Sequence, residues 1–213
     1  MDLPLFPLHV VLFPGATLPL HIFEPRYRAM MEHVLARDRS FGVIAIRHGM
    51  EAGGRADVHA VGTLAAVEQL KRAPDGTMDI VVGGRKRFRL LGRLPDDPFP
   101  LGDVELIEGE ELGDGAAELL TPARAALHRY LAVVARLQGT EITAPAMPPD
   151  LAGASFVLAD ALEIDMPERQ RLLACTTAAA RLELTIELAR REAALLEAVG
   201  PSVGRPSDAF SPN

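Results

Sequence analysis

The sequence predicts an α+β chain: a small, partly open barrel of short antiparallel strands with one early helix, followed by a C-terminal α-helical bundle. Apolar residues alternate with polar residues or prolines in short stretches up to about residue 112, punctuated by glycine and proline turns. Glycine falls from 12 residues in positions 1–112 to 6 in positions 113–213, while alanine becomes the commonest residue. Strand and turn chemistry thus gives way to helix chemistry near Gly113-Asp114-Gly115. The expected division is 1–112 for the barrel, 113–200 for the helices and 201–213 for a polar, proline-containing tail too poor in apolar residues to order itself.

Leu18, Leu20 and Ile22 alternate with Pro19 and His21, the two-residue period of a strand that buries one face. Pro4, Pro7 and Pro19 cannot donate to a ladder, which places their strands at edges, rims or bulges. Pro25 suits a first helical turn, and Tyr27, Met30, Met31, Val34 and Leu35 then form one apolar helix face that ends near Arg37-Asp38. Strands follow at 41–46, 58–70 and 77–82, the last two joined across Pro74-Asp75-Gly76, and then at 87–93 and 101–107. In the second part, Thr121 and Pro122 read as the start of a helix whose stripe is Ala123, Leu127, Tyr130, Leu131, Val134 and Leu137, closed by Gly139. Asp150 starts a short helix, and Asp165 with Glu168 has the spacing of a capping box before Leu172 and Leu173. A long helix carrying Leu182, Ile186, Ala189, Ala193 and Leu196 is expected to stop at Gly200-Pro201.

Taken in order, LPLFPL from Leu3, VLFPG from Val11, LPLHIFEPRYR from Leu18, FGV from Phe41, VGT from Val61 and GRKRFRL from Gly84 form a specific set. They resemble the N-terminal substrate-binding domain of Lon-type proteases, a domain also found in cereblon and in free-standing bacterial proteins. MPERQRLLAC from Met166, with the helix after it, resembles the helical extension of such proteins. The resemblance implies a pseudobarrel related to the PUA fold. It also implies a free-standing Lon-domain protein that binds unfolded or extended polypeptide segments, works beside a protease or chaperone in protein quality control, and uses no cofactor.

Composition narrows the function classes. The net charge of −7 opposes nucleic-acid binding by the molecule as a whole, and neither part is basic. One cysteine, Cys175, excludes an intrachain disulfide and a multi-cysteine zinc site, and the sequence shows no signal peptide or membrane span, which points to a cytoplasmic protein. Lys71 and Lys86 are the only lysines; no GxxxxGK[ST] loop is present, and neither lysine falls in a Ser-Lys protease motif. Neither ATPase nor peptidase activity is therefore expected. His9, His21, His33, His48, His59 and His128 lack metal-site spacing, and Cys175 reads as a small packed thiol on a helix face.

Two sets of residues are candidates for binding. Phe6, Phe13, Phe23, Tyr27 and Met31 are large apolar residues near proline-broken edge strands that suit a peptide lying alongside, with the helical extension as a second wall; their periodicity equally assigns them to a core. Arg85, Lys86, Arg87 and Arg89 form the second set: with Phe88 and Leu90 alternating against Arg87 and Arg89, one strand face is cationic. That face is either a solvated sheet surface or a patch for acidic peptides or RNA phosphates, which keeps an RNA-binding pseudobarrel as the alternative function. Glu24 is expected to accept backbone N–H bonds at the start of the first helix, with Arg26 or Arg28 reaching toward carboxylates of the sheet.

Overall fold

The computed structural model describes residues 1–49, 57–96 and 98–199. The expected tail after residue 200, and the helix stop at Gly200-Pro201, lie outside the described residues. Seven strands come first: β1 (Asp2–Leu8), β2 (Thr17–Ile22), β3 (Ser40–His48), β4 (Asp57–Val58), β5 (Val61–Arg72), β6 (Met78–Arg93) and β7 (Leu101–Leu106). Helix α1 (Pro25–Leu35) interrupts them, and α2 (Ala116–Gln138), α3 (Leu151–Asp160), α4 (Met166–Ala174) and α5 (Ala178–Val199) follow.

The strands form a ring in the order β1-β7-β6-β5-β3, which returns to β1. Its seam departs from the expected antiparallel pattern, because β1 pairs parallel with β3 from Leu5 to Leu8 after pairing antiparallel with β7 from Asp2 to Pro4. Each half of β1 thus has one neighbour, so the missing N–H groups of Pro4 and Pro7 need not break the sheet. Among the described residues strand β2 pairs only with β6, through six residues from Thr17↔Gly83 to Ile22↔Met78. Leu18, Leu20 and Ile22 turn inward as predicted while Thr17, Pro19 and His21 stay exposed.

The strands expected at 77–82 and 87–93 are one continuous strand, β6. Gly83-Gly84 does not break it because these glycines permit a crossing: Gly84 N–H donates to the Ala16 carbonyl at 2.9 Å, and Gly84 carbonyl accepts from Gly15 N–H at 2.9 Å. Conversely, the strand expected over 58–70 divides at residues 59–60 into β4 and β5. The predicted turn at Pro74-Asp75-Gly76 is present, with Gly76 at φ +82° and Asp75 Oδ1 accepting from Thr77 N–H at 3.0 Å.

Helix α2 begins at Ala116 rather than at Thr121, so Pro122 sits inside it. The bond this removes belongs to the carbonyl of Glu118, an exposed residue. The stripe shifts with it: Ala126 and Val133 are buried and Leu137 is exposed. Gly139 ends the helix in the left-handed region as expected, and Asp150 caps α3 by accepting from Gly153 N–H at 2.6 Å. Asp165 caps α4 through Glu168 N–H at 2.9 Å, but the reciprocal half of the capping box is absent because the Glu168 carboxylate pairs with Arg191 of α5. That pairing holds the Glu168 carboxyl below its ordinary value, with the Arg191 hydrogen bonds as the leading cause. A depressed folded-state value stabilises above the unfolded-state pKa near 4.5 and is lost as pH falls through the folded value. Glu168→Gln is therefore expected to lower stability at pH 7 and to shrink the loss between pH 7 and pH 3, as read by thermal unfolding at both.

Two main apolar cores result. One fills the ring and is closed by α1 through Tyr27, Met30, Met31 and Val34. The other is built from α2 to α5, yet includes Val11, Phe13 and Ala45 from the strand-rich part. Gln170 of α4 adds a polar tie, its Nε2 donating to the Val61 carbonyl at 3.0 Å.

Candidate functional site

Two concave regions hold the candidate residues. The first is a slot of about 280 Å³ where Phe6 to Leu8 of β1 and Pro19 to Ile22 of β2 face each other across a gap, with Phe23, Glu24 and Tyr27 completing the lining. Among the described residues both strands present an unpaired edge there, since β1 beyond Leu5, whose N–H donates to the Pro100 carbonyl, bonds only β3, and β2 bonds only β6. The Ala16 carbonyl points to β6, so the alternation of an antiparallel ladder turns the main chain of Thr17, Pro19 and His21 outward. Pro19 therefore lacks its N–H on the open side, and Thr17 and His21 carry the free donors.

Tyr27 and Phe6 form the floor of the slot, their ring centroids 4.1 Å apart. Phe23 stands at its rim with 61% of its surface exposed, the largest value among the exposed large hydrophobic residues described. Its neighbour His21 stacks on it at 6.0 Å and holds Asp79 through Nδ1 at 2.7 Å. On the other side of β2, a depression of about 560 Å³ shares Pro19, Leu20 and His21 with the slot. Glu24 does not cap α1 through its side chain, contrary to the expectation; its carboxylate is turned aside to Arg26 Nε at 3.1 Å. Arg26 in turn lies 4.5 Å over the Tyr27 ring, and the ion pair from α1 to the sheet runs from Glu32 to Arg72 instead.

Phe6, Phe23 and Tyr27 thus meet at one place, whereas Phe13 and Met31 do not. Met31 is fully buried in the ring, and Phe13 is fully buried on the opposite side against Phe156, at 6.3 Å.

The second concave region is a groove of about 600 Å³ between the Pro14-Gly15 turn and α3, with Phe156 and Glu110 in its lining. Beneath it lies the most buried charge cluster among the described residues. Arg87 is 3% exposed and Arg181 0%, and both bind the single Glu110 carboxylate. Arg87 grips it through Nε and Nη2, each at 2.7 Å, and its Nη1 donates to the carbonyls of Leu173 and Cys175 at 2.8 and 2.6 Å. Arg181 donates to the Leu172 carbonyl at 3.1 Å and to Ser155 Oγ at 2.8 Å, with its guanidinium 3.6 Å from the Phe156 ring centroid. Burial, followed by repulsion from Arg87, pulls the Arg181 pKa down to about 10, so it remains charged at neutral pH. Burial also raises the Cys175 thiol, which sits at the C-cap of α4 rather than on the helix face expected for it.

The expected cationic face of β6 is consequently not a single face. Arg87 is withdrawn into the interface with the helices, and its neighbours are matched one by one: Arg85 with Glu68, Lys86 with Glu108 and Arg89 with Glu105. These three are exposed pairs, each worth about 0–1 kcal/mol. Among the described residues no three His, Cys, Asp or Glu side chains gather as metal ligands would, and no helix is long and apolar enough to cross a membrane.

Glu110, Arg181 and Phe156 were not singled out in the sequence. Arg181 left a signal: it lies three residues after Ala178 and four before Thr185, inside the buried stripe of α5, where an unpaired charge is not tolerated. Glu110 sits in the link between β7 and α2 and left none.

The chain matches the family model of the ATP-dependent protease La (LON) substrate-binding domain over residues 2–191. It is 29% identical over 199 residues to Lon protease 2 of Desulfotalea psychrophila, covering 91% of this chain and 26% of that protein. It is also 30% identical over 202 residues to Lon protease of Nitratidesulfovibrio vulgaris, covering 91% of this chain and 25% of that protein. The chain therefore spans about a quarter of the length of the curated relatives it matches. Among solved structures, the Lon N-terminal domain protein from Xanthomonas campestris superposes with a TM-score of 0.64 at 29% identity, over 88% of this chain and 98% of that one. The N-terminal domain of Mycobacterium avium complex Lon protease shares the fold, with a TM-score of 0.61 at 17% identity over 89% of this chain and 98% of that one.

Proposed function

The chain belongs to the family of ATP-dependent protease La (LON) substrate-binding domains, and on that premise we propose that it is a non-catalytic module that recognises unfolded or extended polypeptide segments at the β1–β2 slot. The observation that carries this reading is Phe23, exposed at 61% beside two unpaired strand edges and a slot floored by Phe6 and Tyr27. Thr17 and His21 offer outward N–H groups, and the carbonyls of Thr17, Pro19 and His21 offer acceptors to an added strand. Pro19 blunts the same edge against unrestricted sheet growth, a device that suits transient binding. The same reading takes the strand ring as a PUA-like pseudobarrel, the residues after 112 as its helical extension, and the cytoplasm as the place where bound segments are passed to a protease or chaperone.

Phe23→Asp tests it. Titration with fluorescently labelled, reduced and carbamidomethylated α-lactalbumin, an acidic unfolded chain that a protein of net charge −7 does not attract electrostatically, is expected to show affinity falling about tenfold, or about 1.4 kcal/mol. The unfolding temperature is expected to stay unchanged because Phe23 is exposed. Equal binding by the two proteins would refute the slot as the site.

A further inference from the structure

We propose that the cavity between α2 and the link of residues 139–150 is a binding site for a small amphiphilic anion, a single carboxylate or phosphate head on a short apolar stem. This ligand class is separate from the polypeptide taken up at the slot, and the site lies on other elements.

The cavity measures about 260 Å³. Leu127 of α2 and Leu158 of α3, 2% and 1% exposed, bring the helical core to its floor, and Ala144, Pro145 and Met147 of the link form the facing wall. Arg124 and His128 complete the α2 side, and both are exposed. Arg124, Leu127 and His128 stand at i, i+3 and i+4, so adjacent turns of the helix place a guanidinium and an imidazole on either side of one apolar residue. Pro145, Pro148 and Pro149 restrict the backbone of the link, so the wall is preformed and a ligand has little chain to order. The Met147 thioether adapts to the shape of a stem.

Charge complementarity selects the occupant. No carboxylate lines this cavity, and neither Arg124 nor His128 has a hydrogen bond or ion pair among the described residues. The cations that line other cavities differ. Arg85, beside the groove along α3, is held by Glu68, and Lys71, in the depression beside β2, stands opposite Asp79 across the β5–β6 ladder. The Arg124 guanidinium therefore keeps its planar donor fork for a ligand, a geometry that matches two oxygens of a carboxylate or a phosphate, and His128 adds a ring N–H donor. A cationic head would meet Arg124 with no acid to offset it, and a neutral head would leave the fork unmatched. The stem then loses its contact with water against Leu127, Met147 and Leu158. The volume falls below the roughly 300–1,000 Å³ of pockets for drug-sized ligands, which limits the stem to a short chain.

The test titrates sodium octanoate and octyl phosphate into the full chain by calorimetry, with butyrate and octylammonium as comparisons and methyl NMR shifts read in parallel. Octanoate or octyl phosphate is expected to bind and to shift the methyl groups of Leu127, Met147 and Leu158, whereas octylammonium does not. Affinity should rise by up to about fourfold with each methylene added from butyrate toward octanoate, and fall from low to high salt because Arg124 is exposed. Tighter octanoate assigns the head to a free acyl carboxylate, and tighter octyl phosphate assigns it to a phosphoester such as a lipid headgroup. Arg124→Gln should weaken the anion about tenfold, with Arg124→Lys, which keeps the charge and loses the fork, falling between. Ala144→Trp should close the wall against the stem. Arg124 and Ala144 are exposed, so thermal unfolding should match wild type in all three variants. Their affinity for unfolded α-lactalbumin should also match, which separates this site from the slot. No binding of either anion, equal affinity for octylammonium, or unchanged anion affinity in both Arg124→Gln and Ala144→Trp would overturn the proposal.

Discussion

Replacing Glu110 by alanine is expected to destabilise the fold by about 3–5 kcal/mol, the usual cost of removing one partner from a buried ion pair. Two guanidinium groups, 3% and 0% exposed, would be left with no carboxylate between them. Both already donate to the Cys175 carbonyl, at 2.6 and 3.2 Å, which holds them close enough to repel. The Arg181 pKa, already pulled down to about 10 with Glu110 present, falls further in the variant, because the attraction and the hydrogen bond of that carboxylate are among the causes that raise it. The cluster ties β6, the β7–α2 link, the end of α4 and α5 into one unit, so denaturant unfolding should remain a single transition with a lower midpoint. The double variant Glu110→Ala with Arg181→Met should recover part of the loss, since an apolar side chain at Arg181 removes the uncompensated charge; the difference between the two measures the repulsion. An unfolding midpoint for Glu110→Ala equal to wild type would show that the cluster does not hold the helices to the ring.

Gly84→Ala is expected to cost about 3 kcal/mol, at the upper end of overpacking effects, because the clash is with backbone. A β-carbon there overlaps the Phe13 carbonyl oxygen and presses on Leu12. Relief requires the 13–16 turn to move away from β6, breaking the paired bonds between Gly84 and the Gly15 and Ala16 main chain. Phe13 would then be drawn out of the core it shares with Phe156. Gly92→Ala is the control: it lies in the same strand with nothing within 4 Å of the added carbon, and should cost well under about 1 kcal/mol. Thermal unfolding of the pair reads the difference directly.

These two positions mark where sequence legibility ended. Local signals survived: alternation at Leu18 to Ile22, the Pro25 helix start, the turn at Asp75-Gly76 and the Asp150 and Asp165 caps depend on neighbours within a few residues, and each stands where it was expected. Gly83-Gly84 carries the same letters as a turn, yet serves a crossing with a segment almost 70 positions away. Thr121-Pro122 resembles a helix start so closely that the true start, at a left-handed Gly115, was passed over. Arg87 shows the same limit for function. Alternation correctly separated it from Phe88, but only the tertiary fold reveals that Arg87 is covered by α4 and α5 while Arg85 and Arg89 on either side of it stay exposed. The aromatic candidates divided for a related reason: Phe23 keeps the outward parity of Thr17, Pro19 and His21 just past the end of β2, whereas Phe13 and Met31 lie in segments that only the tertiary fold buries.

The proposed recognition requires a polypeptide segment to lie along the open edge of β2. Its most direct test is amide hydrogen exchange of the full chain with and without the unfolded, carbamidomethylated α-lactalbumin chain. Thr17 and His21 have outward N–H groups with no strand among the described residues to receive them, so their amides should exchange rapidly alone and slow when the segment binds, with Leu18 and Leu20 little changed. Binding that leaves the Thr17 and His21 amides exchanging at their free rates would contradict strand addition at β2.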